Sequence, residues 1–266
     1  MTSETLPLTH PLDRWLRIKR LPHTYCAGCS IGTILSAYTR ALERLDMQDR
    51  IVTISGIGCT GRASGYINTD GFHTTHGRAI PFAFGVKSTN PRLEVVVLSG
   101  DGDLFSIGGN HFIHAARRNL DLTVICVNNF TYGMTGGQVA PTTPPQAITT
   151  TTPQGASLRP FNLAHLAAGA GAAYVARYAF HQQTLLARAI VKGIQKNGLA
   201  FIEVVSICPV LFGKRNRLST AEMYQQIKSR TVKITKEEKE RPILAPIEFE
   251  TGKGYQRIPV GEFVNL

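Results

Sequence analysis

The sequence has few cysteines and few charges, and each shortage excludes a class of protein. Five cysteines in 266 residues are too few and too widely spread for a secreted disulfide framework, and their odd number prevents complete pairing. Charged residues make up only 18% of the chain and apolar residues 43%, which excludes a disordered polymer. The chain therefore has enough apolar material for one large domain or two small ones.

A segment that would enter or target a membrane is also missing. The first twenty residues contain four basic side chains and no run of apolar residues, so we expect no signal peptide. The stretch 161–180 consists mostly of small residues and includes Arg177, and we do not expect it to span a membrane. The sequence predicts a cytoplasmic protein in a reducing compartment.

Positive charge is in excess and is unevenly distributed. The formal net charge is +11. Residues 213–241, which we call the basic segment, hold nine Lys and Arg against four Asp and Glu. No nucleic-acid motif accompanies this charge, so we expect an acidic partner protein and no nucleic acid. A solvated basic surface without a partner is the alternative.

Apolar strands alternate with helical patterns over most of the chain. We predict strands at 50–55, 93–99, 122–127 and 201–206 and helices at 31–45, 107–118 and 182–196, with Ser30 as the N-cap of the first helix. This order predicts an α/β fold with a parallel sheet covered by helices on both faces. Residues 138–160 are rich in Thr, Pro and Gln and are expected to form a functional loop.

The C-terminal part has a weaker pattern than the rest of the chain. We assign 1–212 to one cofactor-binding domain and 213–266 to a basic, helical arm followed by an irregular tail. We expect this arm and tail to pack on the domain or on a partner.

Oxygen ligands follow two of the predicted strands. The second strand ends in Ser-Gly-Asp-Gly-Asp at 99–103, and the third ends in Asn-Asn at 128–129. Ligands of α/β sheets bind at the carboxyl ends of the strands, and glycines allow the backbone to approach a phosphate. Asp101 and Asn129 offer the hard oxygens that Mg²⁺ prefers. The pair of motifs resembles the thiamine-diphosphate motif of thiamine-dependent enzymes.

Four of the five cysteines lie where a fold of this kind brings them to one edge of the sheet. Cys26 and Cys29 form a Cys-x2-Cys turn, Cys59 follows the first predicted strand and Cys208 follows the fourth. Four thiolates hold either a [4Fe–4S] cluster or a structural Zn²⁺ ion, and one close pair with two isolated cysteines favours the cluster. Cys126 lies inside the third strand and is predicted to be a buried core thiol.

Together these motifs resemble the thiamine-binding β subunit of the 2-oxoacid:ferredoxin oxidoreductases. The matching motifs, in order, are Cys-x2-Cys, Gly-Ile-Gly-Cys, His-Thr-x-His-Gly-Arg, Gly-Asp-Gly-Asp-Leu, Gly-Gly-Asn-His-Phe and Tyr-Gly-Met-Thr-Gly-Gly-Gln, between Leu21 and Phe212. Ala27 stands where many members have Pro. Thr-Gly-Gly-Gln at 135–138 resembles the 2-oxoglutarate-type members, whereas some other members have Thr-Lys-Gly-Gln.

The resemblance implies the site residues. It implies a [4Fe–4S] cluster on Cys26, Cys29, Cys59 and Cys208, and Mg²⁺ held by Asp101, Asn129 and the carbonyl near Thr131. It places His76 and Arg78 at the catalytic pocket. The residues that it implies for cofactor binding are Gly58, Cys59, His76, Gly100, Asp101, Gly102, Asp103, Asn129, Thr131, Gly133, Met134 and Thr135.

The resemblance also implies the reaction: oxidative decarboxylation of a 2-oxoacid, here 2-oxoglutarate, with coenzyme A as co-substrate and ferredoxin as acceptor. The chain has room for one diphosphate-binding domain and offers no second domain for the Glu that activates thiamine. We therefore expect a larger α subunit to supply that domain, in an α2β2 assembly. Two alternatives are a thiamine-dependent decarboxylase without redox function and a zinc-stabilised interaction protein.

Overall fold

A computed structural model of the chain describes residues 10–241, 244–250 and 254–266. Its α-helices are α1 Ile31–Leu45, α2 Ala79–Thr89, α3 Gly109–Arg118, α4 Leu163–Gly169, α5 Gln183–Ile194, α6 Thr220–Arg230 and α7 Lys236–Lys239. Its strands are β1 Ile51–Ser55, β2 Asp70–His73, β3 Glu94–Gly100, β4 Thr123–Asn128, β5 Thr131–Tyr132, β6 Gln138–Val139, β7 Tyr174–Ala179, β8 Ala200–Val205, β9 Thr231–Lys233, β10 Glu248–Glu250 and β11 Gly254–Asn265. Single π-helical turns lie at Asp103–Ile107 and Pro209–Gly213.

The main sheet of the described residues has the strand order β10-β11-β7-β8-β4-β3-β1-β2, with β9 paired to β11. From β7 to β2 each strand runs parallel to its neighbour. The central strands are apolar runs because parallel strands are buried on both faces. The predicted fold class, a mostly parallel sheet with helices, is confirmed.

Side chains of the sheet alternate between two cores. In β3, Val96 and Leu98 belong to the core that includes α1 and α5, whereas Val95 and Val97 belong to the core that includes α2, α3 and α4. Cys126 in β4 lies in the second core and is 0% exposed, and its burial raises the pKa of its thiol. The prediction that Cys126 is a core thiol is confirmed.

The predicted elements match observed ones with small shifts at their ends. The four predicted strands are β1, β3, β4 and β8, each displaced by one residue at one end or both. The predicted helix at 107–118 begins at Gly109, because Ile107 still belongs to the π-helical turn. The prediction missed β2, whose four residues are all exposed, and β7, which lies in the Ala-rich stretch.

The prediction of an irregular C-terminal tail was wrong. β11 pairs antiparallel with β7 and with β10, and parallel with β9. Pro259 and Gly261 lie within it, and both residue types count against a strand when the sequence is considered alone. Long-range hydrogen bonds to β7 override that preference. Positions 1–9, 242–243 and 251–253, which the signal-peptide and domain predictions include, lie outside the described residues.

A buried ion pair fastens the C-terminal segment to the sheet. Arg177 of β7 donates to Glu203 of β8 at 2.7 Å, and both side chains are 1% exposed. Arg177 also donates to the carbonyl oxygens of Ala245 and Pro259.

In the part of the chain that the structure describes, no helix is long and apolar enough to cross a membrane.

Candidate functional site

The candidate site lies at the carboxyl edge of the parallel strands. β1, β3, β4 and β8 are parallel neighbours, so the loops that follow them leave from the same edge. These loops carry Cys59, Asp101, Asn129 and Cys208 in that order. The structure brings together the two motifs and the two isolated cysteines that the sequence analysis placed at strand ends.

A cavity of about 120 Å³ opens among these loops. All twelve residues predicted to bind the cofactor line it: Gly58, Cys59, His76, Gly100, Asp101, Gly102, Asp103, Asn129, Thr131, Gly133, Met134 and Thr135. Ile57, Thr60 and Tyr132 complete the lining and were not predicted. A larger cavity of about 410 Å³ elsewhere has none of the predicted residues in its lining, so size alone does not identify the site.

The amide of Asn129 meets two oxygen atoms at one side of this cavity. One of its two terminal atoms lies 2.7 Å from the carbonyl oxygen of Thr131 and 3.2 Å from Oδ1 of Asp101. With no cation between them, the amide donates its N–H groups to these two acceptors; with a cation, rotation of the amide presents its oxygen instead. Carboxylate, amide and carbonyl oxygens form the donor set that Mg²⁺ takes. The residues present therefore fit a magnesium ion.

The turn after β4 brings these oxygens together. Phe130 has φ +63°, a left-handed conformation that is uncommon outside glycine. Its ring is 1% exposed and contacts the rings of Phe212 and Tyr255, which hold the backbone in that conformation. The turn points the side chain of Asn129 and the carbonyl of Thr131 toward the same place. Strain of this kind is typical of functional sites.

Asp101 is buried and is contacted by a residue that the sequence analysis did not single out. Its exposure is 1%, and burial raises the pKa of its carboxyl group to about 7. The hydroxyl of Thr142 donates a hydrogen bond to Oδ2 of Asp101. Thr142 lies in the loop predicted to be functional, but no motif marks it. An anion that is costly to bury becomes favourable when a cation binds beside it.

Gly102 must be a glycine because Tyr132 packs against it. A Cβ atom at Gly102 would lie 2.5 Å from Cε1 of Tyr132, and the Tyr132 hydroxyl donates to the Gly102 carbonyl at 3.1 Å. The loop that follows β3 and the turn that follows β4 are thus in direct contact. The sequence analysis missed Tyr132 because its motif, Tyr-Gly-Met-Thr, indicates a turn and does not indicate that the tyrosine ring packs against Gly102.

Asp103 also lines the cavity, but its carboxylate is engaged by the protein itself. It accepts hydrogen bonds from the backbone of Ile57 and Gly77, from Nδ1 of His76 and from the hydroxyl of Ser99. These contacts leave His76 at the cavity wall. Asp103 therefore has surroundings quite different from those of Asp101.

Arg78 does not join the others at the cavity. It is not among the lining residues in the described part of the chain, and its guanidinium donates to Nε2 of His111 at 2.8 Å. Burial and the charge of Arg78 lower the pKa of His111. The chain turns at Gly77, where φ is +73°, and this turn separates the directions of His76 and Arg78.

The four cysteines gather beside the same cavity. A Cβ atom on Gly133 would lie 3.3 Å from Sγ of Cys59 and 3.6 Å from Sγ of Cys208, so the two sulfurs are at most 6.9 Å apart, the sum of these distances. Cys59 and Gly133 line the cavity, and the sulfur of Cys208 lies next to Gly133. The pKa values of Cys29 and Cys59 are raised to about 11, first by burial and then by neighbouring thiols that include Cys26 and Cys208.

Ser30 connects the two ends of this cysteine group. It precedes α1 as predicted, but its side chain makes no cap to the helix. Its hydroxyl instead contacts Oγ of Ser206 at 2.5 Å and accepts the N–H of Ile207 at 3.0 Å. The start of α1, next to Cys29, is thereby held against the end of β8, next to Cys208.

The thiols of the four cysteines are close, but they are not arranged around a single ion. Within residues 10–241, 244–250 and 254–266, no group of three or more His, Cys, Asp or Glu side chains is arranged to hold a metal ion. The cysteines are free of disulfides. Thiolates are suitable ligands for iron–sulfur clusters and for zinc. Burial alone favours the neutral thiol, and binding of a metal would shift the equilibrium to the thiolate.

Comparisons with known proteins show the family to which the chain is similar. Residues 56–204 match the family model of the thiamine pyrophosphate (thiamine diphosphate) enzyme C-terminal TPP binding domain. The chain is 48% identical to the 2-oxoglutarate synthase subunit KorB of Methanothermobacter thermautotrophicus, over 96% of this chain and 87% of that protein. It is 38% identical to subunit beta of 2-oxoacid:ferredoxin oxidoreductase 2 of Aeropyrum pernix, over 85% of this chain and 72% of that protein.

A solved structure is similar over nearly the whole chain. The 2-oxoglutarate:ferredoxin oxidoreductase of Magnetococcus marinus, determined with 2-oxoglutarate, coenzyme A and succinyl-CoA bound, matches with a TM-score of 0.83 and 29% sequence identity. The match covers 97% of this chain and 86% of that one.

Proposed function

The chain belongs to the β subunits of the 2-oxoacid:ferredoxin oxidoreductases, and from this premise we propose how its residues divide the work of the enzyme. It is a subunit of an oxidoreductase of the 2-oxoglutarate type, which converts a 2-oxoacid and coenzyme A to acyl-CoA and CO2 while ferredoxin is reduced. One observation carries the proposal: Asp101, Asn129, Thr131 and Cys59 line one cavity, and the sulfur of Cys208 lies beside its wall at Gly133.

We assign Mg²⁺ and the diphosphate to the oxygen side of the cavity. Asp101, the side-chain oxygen of Asn129 and the Thr131 carbonyl would hold the ion. Gly100 and Gly102 would let the diphosphate approach the backbone. When bound, thiamine diphosphate supplies a carbon nucleophile and an electron sink. The chain's own part is to orient this group and to hold the metal that neutralises the diphosphate, and the bound metal in turn would favour the ionised form of Asp101.

We assign a [4Fe–4S] cluster to Cys26, Cys29, Cys59 and Cys208. Support comes from the shared wall: Cys59 and Gly133 line the cavity, so electrons leaving a reactant there have a short path to a cluster on these thiols. A non-redox decarboxylase would have no use for thiols at this wall.

We favour 2-oxoglutarate as the substrate. The relatives named 2-oxoglutarate synthase support this assignment. Gly136 lies at the turn that follows the metal-binding residues, and the guanidinium of Arg215 lies 3.4 Å from its carbonyl oxygen. This chain therefore offers a cation near the turn, where a distal carboxylate needs one.

We infer that the active site is completed by a larger α subunit, in an α2β2 assembly that passes electrons to an acidic ferredoxin. The Glu that activates thiamine would come from the α subunit. The basic segment would attract the acidic ferredoxin, since part of it is exposed on α6 and α7.

The function is tested by producing the chain anaerobically with and without its α subunit. We expect the complex, but not the isolated chain, to reduce ferredoxin with 2-oxoglutarate and coenzyme A. Pyruvate turnover faster than 2-oxoglutarate turnover would overturn the substrate, and activity of the isolated chain would overturn the shared site.

The cluster is tested by iron and sulfide analysis of the purified complex. Cys59→Ser and Cys208→Ser should each lose iron, whereas Cys126→Ser, the matched control in the core, should retain it. A full iron content in both of the first two variants would contradict the assignment, and zinc in place of iron would favour a structural site.

A further inference from the structure

Two aspartates, two residues apart in one motif, have different neighbours at the cavity. Oδ2 of Asp101 accepts from Thr142, its Oδ1 faces the amide of Asn129, and the backbone of Gly102 and Asn129 also donates to its carboxylate. Asp103 is 3% exposed and accepts hydrogen bonds from four donors of the protein, three on Oδ1 and one on Oδ2. An ionised carboxylate has about four acceptor positions. Most of the acceptor positions of Asp103 are therefore used inside the protein, and those of Oδ1 are fully used.

The contacts of Asp103 join three segments of the chain. Oδ1 lies 3.2 Å from the backbone nitrogen of Ile57, 2.7 Å from that of Gly77 and 2.5 Å from Nδ1 of His76. Oδ2 accepts the hydroxyl of Ser99 at 2.8 Å. The carboxylate thus links the end of β3 to the loop that carries Cys59 and to the loop that carries His76.

The carboxylate of Asp103 occupies the space that a side chain at Gly56 would need. A Cβ atom at Gly56 would lie 1.9 Å from Oδ2 of Asp103, a distance that non-bonded atoms do not reach. The absence of a side chain at Gly56 is therefore a requirement of the arrangement.

The arrangement determines which nitrogen of His76 carries a proton. An ionised carboxylate only accepts hydrogen bonds, so Nδ1 of His76 must be the donor. Nε2 then becomes the nitrogen that is free to act on another molecule. The His76 side chain is 37% exposed and lines the cavity, with its ring 6.1 Å from that of Tyr132 at 77°.

We propose that Asp103 is a positioning residue that holds His76 by Nδ1, so that Nε2 faces the reactant and exchanges a proton with it. This inference rests on the proposed function. When a nucleophile adds to the 2-oxo carbon, the C=O π pair would move to oxygen, and His76 protonated at both nitrogens would give its Nε2 proton to that oxygen. His76 is left neutral, and it takes the proton back when the carbonyl re-forms.

The test compares Asp103→Asn with Asp101→Asn in the assembled α–β complex. Asparagine keeps an oxygen that can accept the three hydrogen bonds of Oδ1, but it removes the negative charge. Its NH2 group can also face Nδ1 of His76 and donate to it, which favours the tautomer of His76 with its proton on Nε2. We expect kcat to fall about 100-fold, in the range of acid–base catalysis, with KM for 2-oxoglutarate, iron content and thiamine diphosphate affinity unchanged. Asp101→Asn should lose thiamine diphosphate. Loss of thiamine diphosphate by Asp103→Asn would overturn the proposal and make Asp103 a cofactor ligand.

A double-mutant cycle separates positioning from general support of the fold. If Asp103 acts through His76, Asp103→Asn combined with His76→Gln should be no slower than His76→Gln alone. Losses that multiply would overturn the proposal. His76→Gln by itself covers the case in which Asp103→Asn does not assemble: its kcat should fall about 100-fold with iron and thiamine diphosphate retained, and an unchanged kcat would overturn the proposal.

Failure of the proposed function has a different signature. A wild-type complex that binds iron and thiamine diphosphate but does not oxidise 2-oxoglutarate would reject the substrate before any variant is compared. In that case, the thiamine diphosphate affinities of Asp101→Asn and Asp103→Asn still decide whether the two aspartates have different roles.

Discussion

Replacing Thr142 with valine should weaken thiamine diphosphate binding although Thr142 is outside every recognised motif. The hydroxyl of Thr142 donates to Oδ2 of Asp101, whose pKa is already raised to about 7 by burial. Valine has nearly the same shape and removes only that donor. A hydrogen bond to a charged group contributes about 1.5–3 kcal/mol. We take the lower end of this range, about 1.5 kcal/mol. Part of Asp101 is protonated at neutral pH, and in that form it donates to the threonine oxygen as a neutral group, so the hydrogen bond is not always to a charge.

That free energy corresponds to a loss of about tenfold in affinity at neutral pH. The measurement is isothermal titration calorimetry: the complex, freed of Mg²⁺ and thiamine diphosphate, is titrated with thiamine diphosphate at a fixed Mg²⁺ concentration. Thr39→Val is the matched control: Thr39 is equally buried, at 2% exposure, but its hydroxyl donates to the Ser36 carbonyl within α1. An affinity of Thr142→Val within twofold of the wild type, or an equal loss in Thr39→Val, would refute the reasoning.

Three further outcomes are expected. The affinity for thiamine diphosphate should fall about tenfold from pH 8 to pH 6, because Asp101, with a pKa of about 7, must lose its proton before it binds the metal; equal affinities would contradict this. Arg177→Leu should lower the free energy of unfolding by about 3–5 kcal/mol, and with it the melting temperature of the complex, since it leaves the charge of Glu203 buried without a cation. The control Arg188→Leu, on the exposed face of α5, should leave the melting temperature nearly unchanged. Added salt should slow reduction of ferredoxin but not of a neutral dye, because screening shortens the reach of the basic segment to about 10 Å at 0.1 M; a rate indifferent to salt would remove its steering role.

Local patterns in the sequence were sufficient for the central sheet and for the composition of the site. The strands β1, β3, β4 and β8 are short apolar runs that end in glycine or polar residues, and parallel strands place all their carboxyl ends at one edge. That rule alone predicted that Asp101, Asn129 and two of the cysteines would meet. The other residues that line the cavity, among them His76 and Met134, were predicted from the family resemblance and not from this rule.

What the sequence left undecided depends on contacts between distant residues. β11 forms because β7 supplies its hydrogen bonds, and Ser30 bonds to Ser206 and Ile207 instead of capping its own helix. For the two aspartates of the Gly-Asp-Gly-Asp motif, the sequence predicted Asp101 as a metal ligand, and the resemblance placed both at the cofactor. Only the tertiary structure separated them, because it puts a threonine and an amide beside Asp101 and four protein donors around Asp103.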